Sequence, residues 1–141
     1  MFEPHPYIVL IDDDEDDLQM LSASLERQGV KTKTFASGEK AAYYLQLIAD
    51  SSELPGLIIV DYNMPGKNGR QVLDLIKSCQ ATRDIPVVIY STSISQLFKQ
   101  TLIDKGALNC YEKPVAYSDF NMQVEIFKEL AWSYSPGLCL A

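Results

Sequence analysis

The chain has 141 residues, of which 47% are hydrophobic, and this predicts one globular domain with a packed core rather than a disordered chain. A net charge of −7 argues against direct nucleic-acid binding, and no apolar run approaches the ~20 residues of a membrane-spanning helix. The three cysteines, Cys79, Cys110 and Cys139, lack CxxC spacing, which favours reduced thiols and a cytoplasmic location over a disulfide framework.

Short apolar runs alternate with longer amphipathic segments along the chain. The runs predict strands at residues 7–11, 31–35, 57–60, 86–90 and 109–111. Between them, apolar residues recur at intervals of three and four, as on one face of a helix; Leu18, Leu21 and Leu25 are an example. The sequence therefore predicts a strand followed by a helix, repeated five times.

The central runs are apolar throughout rather than alternating, which is typical of strands buried on both faces. Right-handed crossovers then give a parallel sheet with helices on both sides, an α/β fold. We expect a single domain over residues 1–141, with a core at about 7–132 and a fraying tail at 133–141.

Turn and capping residues predict where several helices begin and end. Asp14 followed by Asp17 resembles a helix N-terminus, and residues 93–96 (SISQ) form a capping-box pattern before the fourth helix. Gly29 and Gly106 are placed as C-terminal stops.

Polar side chains follow four of the predicted strands. The residues at these strand ends are Asp12 and Asp13, then Asp61, then Ser91, and then Lys113 and Pro114. Because ligands of an open parallel sheet bind beyond the carboxyl ends of its strands, we expect these side chains to meet at one edge. Three carboxylates with backbone carbonyls are the hard oxygen ligands that Mg²⁺ prefers, so the sequence predicts a magnesium site there.

The first strand runs into six consecutive acids, 12–17 (DDDEDD). Two unit charges about 5 Å apart repel by roughly 3 kcal/mol at an effective dielectric constant near 20. A divalent cation would relieve this repulsion at Asp12 and Asp13. Glu15, Asp16 and Asp17 are instead assigned to the solvated start of the first helix, where negative charge is favourable.

Four motifs in chain order, IDDD, VDYNMPGKNG, YSTS and YEKP, resemble the successive signatures of response-regulator receiver domains in two-component signalling. The resemblance is to stand-alone, chemotaxis-regulator-like members and covers about residues 7–132. It implies a flavodoxin-like (βα)5 three-layer sandwich whose five-stranded parallel sheet has the order 2-1-3-4-5. It also implies a bacterial, cytoplasmic phosphorelay protein.

The resemblance implies a role for each site residue. Asp61 would accept a phosphoryl group from a phosphohistidine on a sensor histidine kinase or histidine phosphotransfer protein. Mg²⁺ would be bound by Asp13, Asp61 and the backbone carbonyl of Asn63, with Asp12 acting through a metal-bound water. Such a domain is not an enzyme beyond its own phosphorylation and dephosphorylation.

The remaining implied roles fall on the last two strand ends. Ser91 would be the family's hydroxyl residue and Lys113 its lysine, and both would bind phosphoryl oxygens. The Lys113–Pro114 peptide bond would be cis, a form largely confined to bonds that precede proline. Thr92 stands where the family has a small residue and could modulate access of water to the phosphoryl group.

Cys110 departs from the family pattern, because an aromatic residue that rotates inward on phosphorylation is usual at this position. The aromatic falls one place later, at Tyr111, and adjacent strand residues point to opposite faces. Tyr111 therefore cannot substitute for it. We hypothesise that switching relies on Ser91 moving toward the phosphoryl group and on rearrangement of the loop at 92–96.

Output would pass to an unknown downstream protein through the fourth helix, fifth strand and fifth helix, since the fold uses about 130 residues. One alternative is a Mg²⁺-dependent phosphatase of the haloacid-dehalogenase class, but its DxDx[TV] pattern would need Thr or Val where the chain has Asp16. A flavodoxin-like cofactor binder is the other alternative. It would need a hydroxyl- and glycine-rich phosphate loop after the first strand, where this chain is most acidic.

Overall fold

The computed structural model describes residues 6–133, within which five strands alternate with five helices as the sequence predicts. The elements are β1 (Tyr7–Ile11), α1 (Glu15–Arg27), β2 (Lys31–Phe35), α2 (Gly38–Ile48), β3 (Leu57–Asp61), α3 (Gly69–Ser78), β4 (Val87–Ser91), α4 (Gln96–Asp104), β5 (Asn109–Glu112) and α5 (Tyr117–Ser133). The predicted tail beyond residue 133 and Cys139 lie outside the described residues.

The strands form one parallel sheet in the order β2-β1-β3-β4-β5, which confirms the predicted topology. Alternate residues of each strand point to opposite faces. Val9 and Ile11 join a core with α2, α3 and α4, whereas Ile8 and Leu10 join a core with α1 and α5. The molecule is therefore a three-layer α/β sandwich of the flavodoxin type.

Burial of the strands follows their position in the sheet. Every residue of β3 and of β4 is buried, as the continuous apolar runs predict. At the edge, β2 has the sequence KTKTF and is largely exposed. Lysines on an edge strand oppose pairing with another chain, so its polar sequence suits its place.

The helix ends agree with most of the capping predictions. The Asp14 side chain accepts hydrogen bonds from the backbone N–H groups of Asp16 and Asp17 and so caps α1. Gly29 and Gly106 follow α1 and α4 with φ angles of 86° and 114°, in the left-handed region that glycine adopts without a Cβ clash.

The predicted start of α4 is wrong by two residues. Ser95, rather than Ser93, is the N-cap, and its Oγ accepts the hydrogen bond from the Phe98 N–H. The backbone carbonyl of Ser93 instead accepts a hydrogen bond from the Ser91 hydroxyl at 3.3 Å. Ser93 therefore lies in the loop between β4 and α4, and the helix begins two residues later than the sequence predicts.

The cysteines differ in environment. Cys110 is buried, as small apolar residues commonly are, whereas Cys79 is exposed. Cys79 directly follows the last residue of α3, and the buried polar residue of the next turn is Thr82, whose hydroxyl donates to the Ile76 carbonyl at 2.8 Å. Among the described helices, none is both long and apolar enough to span a bilayer.

Candidate functional site

Three carboxylates meet at the carboxyl ends of β1 and β3. Asp12 and Asp13 follow β1, Asp61 ends β3, and the two strands are adjacent and parallel. One carboxylate oxygen from each residue lies within 4.8 Å of the others. An octahedral Mg²⁺ with oxygens at about 2.0–2.1 Å separates its ligand atoms by about 3–4 Å, so a small adjustment brings these oxygens around one ion. The donor set and spacing fit a divalent cation.

The three aspartates differ in solvent exposure. Asp12 and Asp61 are only 6% and 7% exposed, whereas Asp13 lies in solvent. The Asp12 Oδ1 atom accepts the Asp14 N–H at 2.9 Å, and its Oδ2 accepts the Lys113 ammonium at 2.8 Å. Both Asp12 oxygens therefore already have protein partners, while Asp13 and Asp61 have oxygens available to an ion.

Lys113 reaches the acids from the end of β5. Its backbone N–H donates to the Ser91 carbonyl at 2.7 Å, which fixes the start of its side chain. Its Nζ atom lies 2.8 Å from an oxygen of Asp12, 3.1 Å from one of Asp17 and 3.8 Å from one of Asp61. The predicted meeting of the carboxylates with Lys113 is thus present.

Asp17 belongs to this cluster, although its place among the acids 12–17 predicts a solvated position at the start of the first helix. Because α1 begins directly after β1, its first turn lies over the same sheet edge, and Cα–Cβ bonds of a helix tilt toward its N-terminus. Position three of a helix capped by Asp14 is therefore directed at the edge. The spacing of three residues between the cap Asp14 and Asp17 was the signal in the sequence that could have identified Asp17.

The electrostatics of the site raise the pKa of Asp61 to about 7. Burial is the main cause, and the negative charge of Asp12 adds to it; the Lys113 charge and a hydrogen bond from the Asn63 backbone oppose it. For Lys113, burial acts to lower the pKa, but the hydrogen bond and charge of Asp12, with Asp17 and Asp61, raise it above its ordinary value. The Lys113 ammonium therefore stays charged. Its charge does not fully offset the effects of burial and of Asp12 on the Asp61 carboxylate.

The segment after β3 holds Asp61 in place by close backbone packing. A Cβ on Gly69 would lie 2.8 Å from the Asp61 carbonyl oxygen, closer than side-chain carbons approach. Gly66 has a φ of 73°, and the next residue, Lys67, donates its N–H to a carboxylate oxygen of Glu39 at 3.0 Å. The close approach at Gly69 holds the backbone of Asp61, and Glu39 holds the turn at Gly66.

Ser91 ends β4 beside the site and is 1% exposed, with its hydroxyl directed to the Ser93 carbonyl. Thr92 is exposed. The expectation of a cis Lys113–Pro114 bond is wrong for this structure, because the described chain contains no cis peptide bond. The trans form is the lower-energy one by about 0.5–1 kcal/mol even before proline.

Cys110 and Tyr111 point to opposite faces of β5, as strand alternation predicts. Cys110 belongs to the buried core that includes residues of α2, α3 and α4. The Tyr111 ring packs edge-on against Phe127 of α5, with the ring centroids 5.4 Å apart. The aromatic side chain is therefore absent from the α4 side of β5.

Asp13→Asn tests whether the acids repel one another. Without divalent cation, we expect the variant to be as stable as the wild-type protein or more stable, because the substitution removes a negative charge beside Asp12 and Asp61. We also expect it to lose most of the stabilisation that Mg²⁺ gives to the wild-type protein. Urea denaturation with EDTA and with Mg²⁺ measures both. A clear loss of stability in EDTA would contradict the placement of Asp13.

Comparison with known proteins agrees with this geometry. Residues 8–125 match the response regulator receiver domain family. The chain is 37% identical over 134 residues to the two-component response regulator ARR15 of Arabidopsis thaliana, covering 90% of this chain and 63% of that protein. It is 30% identical to the probable methanogenesis regulatory protein FilR2 of Methanothrix harundinacea, covering 94% and 89% of the two chains.

Among solved structures, the phosphorylated cyanobacterial phytochrome response regulator RcpA superposes with a TM-score of 0.81 at 30% identity, covering 92% of this chain and 96% of that one. The chain spans less than two thirds of ARR15, so the comparison with that plant protein concerns one part of it. These matches give no support to the alternative of a haloacid-dehalogenase-class phosphatase. The chain belongs to the response regulator receiver domain family of two-component systems.

Proposed function

We propose that the chain is a phosphoacceptor in which Asp61, assisted by Mg²⁺, takes a phosphoryl group from a phosphohistidine. Receiver domains of two-component systems interact with histidine kinases or phosphotransfer proteins, and such a protein would be the donor. The observation that carries the proposal is the convergence of Asp12, Asp13, Asp61 and Lys113 from three strand ends. A buried carboxylate beside a cation site and an ammonium suits transfer of an anionic group.

Receiver domains bind a metal ion at an acidic pocket. In this proposal the ion is Mg²⁺, held by Asp13, Asp61 and the backbone carbonyl of Asn63, with Asp12 acting through a water. The hydrogen bonds that occupy both Asp12 oxygens support an indirect role for Asp12. When bound, the ion neutralises carboxylate and phosphoryl oxygens, which would otherwise repel each other.

Asp61, Lys113 and Ser91 each have a different role in the proposed transfer. An oxygen of Asp61 attacks phosphorus and forms an O–P bond, while the P–N bond to the donor histidine breaks and the imidazole leaves with the electron pair. The Lys113 ammonium donates to a second phosphoryl oxygen, and the Ser91 hydroxyl donates to a third. Catalysis therefore consists of positioning and charge neutralisation.

Labelling from a phosphorylated donor tests the proposal. Phosphotransfer proteins from the source organism, labelled with radioactive phosphate on histidine, should transfer the label to this chain with Mg²⁺ present and not with EDTA. The product should be cleaved by hydroxylamine, as acyl phosphates are, and mass spectrometry should locate it on Asp61. Label on another residue, or a hydroxylamine-resistant product, would overturn the proposal.

The proposed switch uses Ser91 rather than an aromatic side chain at position 110. On phosphorylation the Ser91 hydroxyl would leave the Ser93 carbonyl, to which it donates at a long 3.3 Å, and turn to the phosphoryl group. Loss of that contact would release the loop at 92–96 and the capped start of α4.

Hydrogen exchange tests this switch. We expect beryllofluoride, a phosphoryl mimic, to change amide exchange at 92–96 by severalfold in the wild-type protein, and to change it much less in Ser91→Ala. Thr101→Ala, a hydroxyl removed from the exposed side of α4, is the control and should behave as the wild-type protein does. An unchanged loop in the wild-type protein with the mimic bound would contradict the hypothesis.

The signal would leave the domain through α4, β5 and α5, toward a downstream protein. Leu97 on α4 and Met122 on α5 are 79% and 63% exposed and offer apolar contact area on these elements. A bacterial source and a cytoplasmic location stay predictions of the sequence analysis, and the curated relatives named above come from a plant and an archaeon.

A further inference from the structure

We propose that Asp17 is a positioning residue for phosphoryl transfer, which anchors the Lys113 ammonium so that it faces Asp61. The inference rests on the proposed roles of Asp61 and Lys113 and adds a residue to them. Asp17 has no part in the proposed metal binding, since the metal-sized carboxylate cluster consists of Asp12, Asp13 and Asp61.

The ammonium of Lys113 has three N–H donors and three carboxylate neighbours. Asp12 accepts one hydrogen bond at 2.8 Å and Asp17 accepts a second at 3.1 Å. Asp61 lies 3.8 Å away, which is too long for a hydrogen bond. With two donors held, the third is left for the side of Asp61, where a phosphoryl oxygen would arrive.

Asp17 is itself held in place by the start of α1. Its backbone N–H donates to the Asp14 carboxylate at 3.1 Å, and the same cap binds the Asp16 N–H. A lysine side chain is a compact charge on a flexible four-carbon stem, so a single anchor would leave it a choice of orientations. Asp17, on a different element from Asp12, supplies the second anchor.

Among the described residues, Asp12, Asp17 and Asp61 are the only carboxylates within 4.0 Å of the Lys113 Nζ atom. The Tyr90 ring lies beneath the ammonium, 5.7 Å from Nζ to the centroid, and the Tyr90 hydroxyl donates to Gln123 rather than to the site. Asp17 is half-exposed, with 39% of its side-chain surface accessible, so its effect is that of a partly solvated ion pair.

The test compares Asp17→Ala with Asp16→Ala, which removes the same charge from the same helical turn but no contact with Lys113. Phosphorylation of Asp61 is measured with acetyl phosphate and saturating Mg²⁺, after circular dichroism confirms that each variant is folded. We expect Asp17→Ala to lower the maximal rate by about three- to fivefold, the range of a partly exposed ion pair. Asp16→Ala should stay within about 1.5-fold of the wild-type rate, since distant exposed charges are screened.

A double variant shows whether Asp17 acts through Lys113. In a Lys113→Met background, adding Asp17→Ala should change the rate by less than about 1.5-fold, because the group that Asp17 positions is gone. Asp17→Asn, which keeps the side-chain shape, serves as a second variant and should show an intermediate loss.

Equal rates for wild-type and Asp17→Ala proteins would overturn the inference, as would a full loss that persists in the Lys113→Met background. Either result leaves the labelling of Asp61 in place, so the proposed function would stand. Absence of any label on Asp61 in the wild-type protein would overturn the proposed function and this inference together.

Discussion

Replacing Asp61 with Asn is expected to abolish phosphoryl labelling, with a fall of at least about 100-fold in the rate of acyl phosphate formation. The amide has the shape of the carboxylate but lacks the anionic oxygen that would attack phosphorus. It also removes one of the carboxylates that lie within 4.8 Å of one another, and so weakens the site for the cation. Both effects act in the same direction.

The matched control is Asp74→Asn, on the exposed side of α3. It makes the same chemical change and should label at the wild-type rate. Quantitative mass spectrometry of the hydroxylamine-sensitive product measures all three proteins. Undiminished labelling of the Asp61→Asn variant would show that another residue accepts the phosphoryl group.

Stability without divalent cation is expected to fall as the pH rises from about 4 to about 7. Burial and the Asp12 charge raise the pKa of Asp61 from its ordinary 3.8 to about 7 in the folded protein. Between these values the folded state holds a proton that the unfolded state releases. Stability is therefore greatest below the unfolded pKa and is lost as the pH approaches the folded one. At 1.36 kcal/mol per pKa unit, the loss is on the order of 2–4 kcal/mol.

Urea denaturation in EDTA at several pH values measures this slope, and Mg²⁺ should flatten it by binding the ionised carboxylate. At 100 times its dissociation constant, a ligand of the folded state adds about 2.7 kcal/mol. Asp61→Asn is the control and should lack the part of the slope due to this residue. A wild-type slope in EDTA no steeper than that of Asp61→Asn would show that Asp61 ionises normally.

The fold could be predicted from the sequence because its strongest signals are buried. The strands β3 and β4 are apolar throughout since both of their faces are covered, and the helices between strands carry apolar residues at intervals of three and four. The carboxyl ends of parallel strands lie at one edge, so the meeting of Asp12, Asp13, Asp61 and Lys113 followed from chain order.

The parts that could not be predicted depend on local choices within one or two residues. Two serines could have capped α4, and in the structure Ser95 is the cap while the Ser93 carbonyl accepts the hydrogen bond of the Ser91 hydroxyl. The six consecutive acids have the same side-chain chemistry over most of their length, so only the helix register separates Asp17, which contacts Lys113, from its solvated neighbour Asp16.

The proposed function requires that Asp13, after β1, and Asp61, at the end of β3, bind the same metal ion. A crystal structure of the protein grown with Mn²⁺ and beryllofluoride tests it most directly, because Mn²⁺ is located by its anomalous scattering. We expect one anomalous peak in direct contact with carboxylate oxygens of Asp13 and Asp61, and the beryllofluoride bonded to the other Asp61 oxygen. A peak that touches only one of these two carboxylates, or none, would contradict the account.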